Sequence, residues 1–385
     1  MKKKICVVTS SRAEYSLLKN LLFRLKKNNK IKLHIVCSGT HLSKRYGKTL
    51  NEIEKDNLKV NSFVNIVQKK DTPNDICKSF SKAIDGFSSV YKKVKPDCII
   101  YLGDRYEILA AAYAALIHNI PKIHIHGGEL TEGIIDDATR HSISKISDFH
   151  FVSHQQYKKR VIQLGEHPSR VFLIGAMAIE NIKKEKILSL YKLSKNIGFK
   201  LNNEKKNILI TLHPVNLNKN LTRITIVNLL KILKNFKDYK LIFTYPNQDT
   251  YGNIIIKHIN YFKKKNKNVI FIKNLGSKNY YSAIEHSFCV IGNSSSGILE
   301  VPSFKTPTIN LGNRQRGRVL AKSVIQTNID KKSIYKALKK AKSLDCTKFI
   351  NPFDQKKKVA SVEINKLVTS FNFKNLNLEK KFYDL

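Results

Sequence analysis

Ionisable side chains are concentrated in residues 123–141 of this chain. An apolar run ends there in the stretch His124-Ile-His-Gly-Gly-Glu129, and the residues after it include Asp136, Asp137, Arg140 and His141. Carboxylates and imidazoles that lie this close together can transfer protons or hold a metal ion. We interpret the stretch as a loop after a buried strand that carries the acid/base half of an active site.

A metal site is the first alternative to acid/base chemistry. His124 and His126 alternate along a strand and therefore point to one face, where Glu129 or His141 would complete a ligand set. However, the chain has neither an HExxH nor an HxxEH pattern, and a glycine pair rather than a helical turn follows His126. We therefore expect no metal, and a metal-dependent hydrolase is only a minor alternative.

A second cluster is suited to binding an anion. Residues 292–297, GNSSSG, follow an apolar run and precede a short helical pattern. Free backbone N–H groups at a helix start bind phosphate, although an ordinary serine-rich helix cap has the same sequence. A glutamate one turn later could accept the hydroxyls of a ribose, and two arginines follow the next apolar run. The candidate binding residues are Ser294, Ser295, Glu300, Arg314 and Arg318. Because this stretch has no Gly-Lys-Ser/Thr motif, we predict a nucleoside diphosphate held without magnesium.

Further candidates follow other apolar runs. Arg12 lies where a dinucleotide-binding protein would have GxGxxG, and the absence of that motif disfavours dinucleotide binding. Arg12 instead offers a guanidinium to phosphate. Asp104 and Arg105 end another run. Asp104 is a candidate catalytic residue, for which a helix cap with an ion pair is an equal alternative, and Arg105 and Arg140 are candidate substrate-binding residues. His213 precedes a proline that ends its strand, so it is expected at the same edge of the sheet as a candidate catalytic residue. A histidine of a capped turn is an equal alternative.

Elements that would position these residues alternate regularly along the chain. Short apolar runs and helical patterns follow one another, which is typical of βαβ units around parallel sheets. The predicted strands are 5–9, 33–37, 62–66, 98–102, 122–125, 149–152, 171–174, 207–212, 240–244, 269–272, 288–291 and 308–311. The predicted helices are 17–25, 76–94, 107–118, 155–164, 223–234, 249–264, 280–286, 296–301 and 332–343. Because crossovers are right-handed, we predict an α/β fold of two doubly wound, Rossmann-like parallel-sheet domains facing across a cleft.

The two predicted domains have different functions. Residues 1–178 form an N-terminal α/β domain with the acid/base loops, and residues 179–365 form a C-terminal α/β domain that binds the nucleotide. A polar, lysine-rich stretch that ends near Lys206 marks the connection between them. A further helix is predicted within residues 355–385, and residues 366–385 are assigned to an unstructured, lysine-rich tail.

Composition limits the function classes. Seventy Lys and Arg residues against 29 Asp and Glu give a net charge of +41. Since lysines are spread over nearly every segment without interleaved aromatics, we expect solvated helix faces and an attraction for an anionic substrate, with no nucleic-acid partner. Six scattered cysteines without a CxxC pair predict buried thiols in a reducing, cytoplasmic compartment. No apolar segment approaches the length of a membrane span, so no membrane partner is expected.

Taken together, these motifs resemble the hydrolysing UDP-N-acetylglucosamine 2-epimerases of bacterial sialic acid synthesis. The similarity runs in order from about residue 4 to residue 320. It rests on Ser11-Arg-Ala-Glu-Tyr15, Gly103-Asp-Arg105, His124-Ile-His-Gly-Gly-Glu129, Asp136-Asp137 with Arg140-His141-Ser142, His213-Pro214, Gly292-Asn-Ser-Ser and Asn310-Leu-Gly-Asn-Arg-Gln-Arg-Gly-Arg318. The resemblance implies the glycosyltransferase-B architecture and a homo-oligomer, either a dimer or a tetramer.

The activity that the resemblance implies converts UDP-N-acetylglucosamine and water to N-acetylmannosamine and UDP, without a cofactor. A base removes the proton at C2 while UDP leaves C1, and water then adds to the resulting glycal. The implied acid/base residues are Asp104, Glu129, and Asp136 or Asp137. The implied nucleotide-binding residues are Arg12, His213, Ser294, Ser295, Glu300 and Arg314.

Two questions stay open at this point. Related epimerases have a catalytic glutamate where this chain has His126, so the C2 base is either this imidazole or a carboxylate such as Glu129. The substrate is UDP-N-acetylglucosamine or, as its nearest rival, a UDP-2,4-diacetamido-2,4,6-trideoxyglucose of the legionaminic acid route, because a few side chains decide such a pocket. A glycosyltransferase of the same fold and a basic binding protein without activity are the remaining alternatives.

Overall fold

The computed structural model of the chain describes residues 2–43, 49–66, 72–132, 135–203, 205–215, 218–246, 251–355 and 358–385. The chain forms two compact units. Unit 1 comprises Met1–Glu129, Asp136–Asn181 and Gln355–Leu385, and unit 2 comprises Leu130–Ile135 and Ile182–Asp354. Among the described residues, no helix combines the length and the apolar character that crossing a membrane requires.

Unit 1 is built on a seven-stranded parallel sheet. Its strands are β1 (Lys3–Thr9), β2 (Ile31–Ser38), β3 (Ser62–Val64), β4 (Cys98–Leu102), β5 (Lys122–Ile125), β6 (Phe149–Val152) and β7 (Val171–Leu173), in the order β3-β2-β1-β4-β5-β6-β7. Its helices are α1 (Arg12–Lys27), α2 (Leu50–Lys55), α3 (Pro73–Val94), α4 (Tyr106–Ile117), α5 (Asp136–Ile146) and α6 (Gln155–Gln163). Helix α7 (Met177–Lys184) runs from unit 1 into unit 2.

Both faces of this sheet are buried, which explains the continuous apolar runs in the sequence. Along β1, Ile5 and Val7 join one core with the apolar side of α1. The alternate residues Cys6 and Val8 join a second core with α3 and α4. The period of two along the strand therefore divides a single apolar run between two helix layers.

Unit 2 repeats this architecture with six parallel strands. They are β8 (Asn207–Thr211), β9 (Lys240–Thr244), β10 (Val269–Ile272), β11 (Cys289–Gly292), β12 (Thr308–Leu311) and β13 (Val324–Thr327), in the order β10-β9-β8-β11-β12-β13. Its helices are α8 (Leu190–Ile197), α9 (Lys219–Leu233), α10 (Gly252–Lys265), α11 (Gly276–Glu285), α12 (Ser296–Leu299) and α13 (Lys331–Ser343). The predicted α/β class with two parallel sheets is therefore confirmed.

The C-terminal residues differ from the predicted domain assignment. Helix α14 (Ala360–Ser370) belongs to unit 1, where Ile364 and Val368 pack in the same core as α1. Residues 371–385 have no regular secondary structure, yet they pack against unit 1. Phe371 stacks on Phe149 with ring centroids 4.3 Å apart, and Lys380 pairs with the buried Glu166 at 2.7 Å. The expected unstructured tail is therefore wrong, because its contacts join residues more than 200 positions apart.

The predicted strands all occur, with ends that differ by a few residues, but several elements were not predicted. These are β13, α2, α5, α7 and α8. The most consequential is α5, because the sequence analysis treated Asp136 to His141 as part of a loop. Only Arg140, Ile143 and Ser144 of α5 are buried, so the helix has almost no apolar pattern. The predicted start of another helix at Asp249 lies outside the described residues.

Each sheet reverses its strand order at one point, and this point locates candidate binding residues. In unit 1 the reversal lies between β1 and β4, and in unit 2 it lies between β8 and β11. Ligands of open α/β sheets bind beyond the carboxyl ends of the strands at such a point. Most of the residues singled out from the sequence lie directly after these strands or after the neighbouring β5 and β12.

Candidate active site

The end of β1 is closely packed around a buried carboxyl group. Ser10 donates its backbone N–H and its hydroxyl to the two carboxylate oxygens of Glu14, at 2.7 and 2.8 Å. Burial raises the pKa of Glu14 to about 7, and the nearby Glu107 adds to the shift. A Cβ on Gly39 would lie 2.7 Å from the Ser10 carbonyl oxygen, so the loop after β2 requires glycine. Arg12, predicted to bind phosphate, is half-buried in the first turn of α1, where burial lowers its pKa.

Two arginines predicted to bind substrate instead pair with carboxylates of unit 1. Arg140 is buried on α5 and forms an ion pair with Asp104, which lies just after β4. Arg105 donates to the buried carboxylate of Glu107 from Nε at 3.2 Å and from a terminal nitrogen at 3.3 Å. The structural alternative for Asp104, an ion pair, is thus partly confirmed, with Arg140 as its partner. Each pairing fixes the orientation of a carboxylate near the carboxyl end of β4.

His124 is buried at the end of β5 and has two partners. Its Nε2 lies 2.7 Å from the carbonyl oxygen of Gly103, and its Nδ1 lies 3.1 Å from the hydroxyl of Ser144. A carbonyl oxygen can only accept, so Nε2 carries the proton and Nδ1 accepts from the serine. Burial lowers the pKa of this imidazole to about 3, which keeps it neutral. His124 therefore joins β5 to β4 and α5 as a structural residue.

His126 and Glu129 form the central pair of unit 1. Nδ1 of His126 lies 3.0 Å from Oε1 of Glu129, and the hydroxyl of Ser153 donates to the same oxygen at 3.0 Å. The backbone N–H of Met177, the first residue of α7, donates to Nε2 of His126 at 3.3 Å. The polar side chains of His126, Glu129 and Ser153 are buried, and so is the apolar side chain of Met177. A buried carboxylate that is held by two donors is suited to proton transfer.

The two glycines between His126 and Glu129 allow close packing of the backbone. A Cβ on Gly127 would lie 2.8 Å from the hydroxyl of Ser144 on α5. Gly128 has φ +77°, and a Cβ there would lie 2.5 Å from the backbone oxygen of Tyr157 on α6. The backbone can therefore turn after β5 between two helices only because both residues lack a side chain.

Asp136 and Asp137 begin α5 and so lie at the positive end of its dipole, which favours carboxylates. Asp137 Oδ2 lies 3.7 Å from Nε2 of His141, one turn later on the same helix. Both side chains are partly exposed, unlike Glu129. The two aspartates are thus more accessible than the buried pair after β5.

In unit 2, the end of β11 requires glycine. A Cβ on Gly292 would lie 1.8 Å from the backbone oxygen of Thr211, which pairs with it on β8. The side chain of Asn293 forms two hydrogen bonds to the backbone of His213. Its Oδ1 accepts from the His213 N–H at 2.7 Å, and its Nδ2 donates to the His213 carbonyl oxygen at 2.8 Å. Burial, and secondarily Arg314, lowers the pKa of His213 to about 3. A neutral imidazole is thereby fixed at the reversal point of this sheet.

The loop after β12 contacts the backbone of Asn293. Arg314 and Gln315 both donate to its backbone carbonyl, at 3.1 and 2.8 Å. Arg314 is buried, and its positive charge contributes to the lowered pKa of His213. A guanidinium at this position is suited to a phosphate, as the sequence analysis predicted.

The serine cluster precedes a helix that is shorter than predicted. Helix α12 has only four residues, and a 3₁₀ turn, Val301–Phe304, follows it. Ser294 and Ser295 are half-buried before this helix. Its dipole is therefore small, so an anion here would depend mainly on N–H groups, hydroxyls and Arg314.

Glu300 is held by a tyrosine that the sequence analysis did not select. The hydroxyl of Tyr281 donates to Oε1 of Glu300 at 2.9 Å, and burial raises the pKa of this carboxyl group. The neighbouring Tyr280 hydroxyl lies 2.8 Å from that of Ser296. Helix α11 thus supports the residues that follow β11.

Arg318 has different partners from Arg314. Its Nε donates to the Leu130 carbonyl at 2.7 Å, and a terminal nitrogen donates to the Thr131 hydroxyl at 3.0 Å. A Cβ on Gly317 would lie 2.4 Å from Leu130 Cδ1, so the loop after β12 packs tightly on Leu130. The structure therefore directs Arg318 towards the residues that follow Glu129 in the chain, whereas the sequence analysis assigned it to substrate.

Several residues of these clusters escaped sequence reasoning. Glu14 and Asn293 lie inside quoted motifs but received no role there, whereas Glu107 and Tyr281 lie inside predicted helices. Their burial distinguishes all four in the structure. Within the described residues, no group of three or more His, Cys, Asp or Glu side chains is arranged to hold a metal ion.

Comparison with solved structures identifies the fold class. The chain is similar to a UDP-GlcNAc 2-epimerase from Neisseria meningitidis bound to UDP-GlcNAc, with a TM-score of 0.80 and 19% identity. The match covers 95% of this chain and 99% of that one. Two parallel-sheet α/β domains of this kind define the glycosyltransferase-B-like fold, as predicted.

Comparison of sequences identifies the family. The profile of the UDP-N-acetylglucosamine 2-epimerases matches residues 24–365. The chain is 44% identical over 330 residues to a GDP/UDP-N,N'-diacetylbacillosamine 2-epimerase (hydrolyzing) of Campylobacter jejuni, covering 86% of this chain and 85% of the relative. It is 39% identical over 337 residues to the polysialic acid biosynthesis protein P7 of Escherichia coli, covering 87% and 85%. The chain therefore belongs to the UDP-N-acetylglucosamine 2-epimerase family.

Proposed function

We propose that this protein is a hydrolysing 2-epimerase that releases UDP from a UDP-activated 2-acetamido sugar and inverts C2. The observation that carries the proposal is the buried Glu129 carboxylate, which is oriented by His126 and Ser153 at the end of β5. Membership of the epimerase family supports it. A glycosyltransferase would have little use for a proton-transfer group of this kind.

The proposed reaction has two steps. A carboxylate accepts the C2 proton, a C1–C2 double bond forms, and the C1–O bond breaks so that UDP leaves with the electron pair. Water then adds its oxygen to C1 and gives one proton to a carboxylate, while an acid returns a proton to C2 on the opposite face. Glu129 and Asp104 are the proposed acid/base pair, and Asp136 or Asp137 is a further candidate.

In this proposal unit 2 binds the leaving nucleotide. Arg314 stabilises the charge that develops on the diphosphate, while Ser294 and Ser295 offer hydroxyl donors. Glu300 accepts hydrogen bonds from the ribose. Support comes from the neutral His213 beside a buried guanidinium and from Tyr281, which holds the Glu300 carboxyl group.

For the substrate, we propose UDP-2,4-diacetamido-2,4,6-trideoxyglucose, the N,N'-diacetylbacillosamine nucleotide. The 44% identity to a relative that carries this name supports the choice. UDP-N-acetylglucosamine is the second candidate, because a relative of 39% identity is named for polysialic acid biosynthesis. The order of preference is thus the reverse of that reached from the sequence. The relative's name also includes GDP, so the base of the nucleotide is part of the test.

The test is an assay of the purified protein with the two UDP-sugars and with the GDP form of the diacetamido sugar. We expect free UDP, a free 2-epimerised sugar and, in D₂O, one deuterium at C2 of the product. The Glu129→Gln variant is the matched control. Absence of UDP release from both UDP-sugars and of GDP release from the GDP-sugar, with the protein folded, would reject the proposal. Release that requires an added acceptor would instead indicate a glycosyltransferase.

A further inference from the structure

The hydrogen bonds around His126 determine its protonation. The N–H of Met177 can only donate, so Nε2 of His126 must accept and cannot carry a proton. Glu129 Oε1, which also receives the Ser153 hydroxyl, then receives the proton of Nδ1. The imidazole is therefore neutral and has the proton on Nδ1. His124, two residues earlier, has the opposite tautomer because Gly103 offers a carbonyl oxygen to its Nε2.

The donor from Met177 has a structural origin. The first N–H groups of a helix have no partner within the helix, and Met177 is the first residue of α7. The His126 ring thus caps the start of α7 with one nitrogen and holds Glu129 with the other. Its only basic lone pair is already used, so it is poorly placed to take a proton from a sugar.

The backbone of His126 also indicates a constrained position. Its φ angle is +67°, in the left-handed region that residues other than glycine and asparagine rarely adopt. The N–H of His126 donates to the carbonyl of Phe151 at 2.9 Å, which ties this conformation to β6. Non-glycine residues in this region of the Ramachandran plot are often found at functional sites, where the surrounding structure holds them.

We propose that His126 is a positioning residue that fixes the plane of the Glu129 carboxylate and links it to the start of α7, rather than the base that removes the C2 proton. The inference rests on the proposed function, because it assigns a role within the same site. It answers the question left by the sequence, in which His126 replaces a glutamate of related enzymes.

Two substitutions at His126 distinguish these roles. Asparagine accepts positive φ, and its side-chain N–H group lies where Nδ1–H lies, so it keeps the donor to Glu129. Glycine also accepts positive φ but has no donor. We expect His126→Asn to keep kcat within a few-fold of the wild type, and His126→Gly to lower kcat about 10²-fold through misplacement of the carboxylate. KM for the UDP-sugar should change little in both variants.

A substitution at Met177 tests the other nitrogen. Proline is favoured at the first position of a helix and lacks the N–H group. Met177→Pro should therefore release the ring and lower kcat, whereas Met177→Ala, which loses a comparable side chain but keeps the N–H, should lower it less. Thermal unfolding of each variant verifies that it is folded.

Ring nitrogen shifts in ¹⁵N NMR spectra of histidine-labelled protein provide a readout that does not require turnover. We expect His126, assigned by comparison with His126→Asn, to show a protonated Nδ1 and an unprotonated Nε2. A protonated Nε2, or equal loss of kcat in His126→Asn and His126→Gly, would overturn the inference. If the wild type releases no UDP from any sugar, the proposed function fails while the tautomer is still read from these spectra.

Discussion

The residues after β5 in unit 1 and those after β11 and β12 in unit 2 are held in different ways. In unit 1, ionisable side chains bond mainly to one another, as in the pairs of Glu129 with His126 and of Asp104 with Arg140. In unit 2, Asn293 and Arg314 bond to backbone groups. Substitution of one charged residue in unit 1 therefore alters the electrostatic surroundings of the side chain that pairs with it. Substitution of Asn293 or Arg314 in unit 2 instead alters the conformation of a loop.

The difference matches the two roles in the proposed reaction. Proton transfer requires groups whose protonation is set by their surroundings, and buried ionisable pairs provide this. Binding of a diphosphate requires fixed donors and charge, and a rigid backbone provides these. The following predictions test the distinction, from the largest expected effect to the smallest.

Glu129→Gln should have the largest effect. We expect kcat to fall about 10³-fold, because the amide cannot accept the C2 proton, while UDP affinity stays within a few-fold of the wild type. Steady-state kinetics and calorimetric titration with UDP measure the two quantities. A loss of UDP affinity equal to the loss of kcat would remove the distinction between the two units.

Acid should destabilise unit 1 before unit 2. In the part of the chain that the structure describes, folding lowers the pKa of six histidines in unit 1 and of one in unit 2. A histidine whose pKa is lowered by folding destabilises the folded state as pH falls below about 6.5, by roughly 2 kcal/mol at pH 5 for His124, whose pKa is lowered to about 3. Glu14, with its pKa raised to about 7, partly opposes this, because its protonation favours the folded state as pH falls.

Hydrogen exchange followed by mass spectrometry checks this order. Between pH 7 and pH 5, peptides from β1, β4 and β5 should lose protection before those from β8 and β11. Glu14→Gln removes the opposing group, so between pH 7 and pH 5 the decrease in protection of unit 1 should be larger in that variant than in the wild type. Earlier loss in unit 2 would contradict the prediction.

Arg314→Ala should weaken UDP binding about 10- to 100-fold, the usual contribution of a charge-assisted hydrogen bond. The kcat of this variant at saturating substrate should fall less than that of Glu129→Gln. Calorimetric titration with UDP measures the affinity. Gln315→Ala is a matched control, since Gln315 donates to the same Asn293 carbonyl without a charge.

Arg318→Ala should have the smallest effect on UDP affinity. Its donors are directed to Leu130 and Thr131, so we expect unchanged UDP binding and a kcat roughly tenfold lower, because the segment after Glu129 loses its support. Arg316→Ala is the control, since its exposed pair with Glu132 at 3.6 Å should contribute little. A large loss of UDP affinity in Arg318→Ala would return this residue to the nucleotide site.

Much of the fold was predictable because its signals are local. The apolar runs at 98–102 and 122–125 predict buried strands without knowledge of their neighbours, and both occur with these bounds. The residues that follow each run were selected because parallel strands present their carboxyl ends at one edge. Helix α5 was not predicted because few of its residues are buried, so the sequence lacks the apolar period that marks a helix.

The sequence by itself determined two α/β domains, the strand ends that carry the polar residues, and the resemblance to the epimerase family. Only the tertiary structure decided how these residues are paired. It brought Met177 to His126 over 51 positions, directed Arg318 to Leu130 over 188, and returned the C-terminal residues to unit 1. The reason is physical: strands follow from local hydrophobicity, whereas the tautomer of a histidine or the partner of an arginine depends on groups that only folding brings within hydrogen-bond distance.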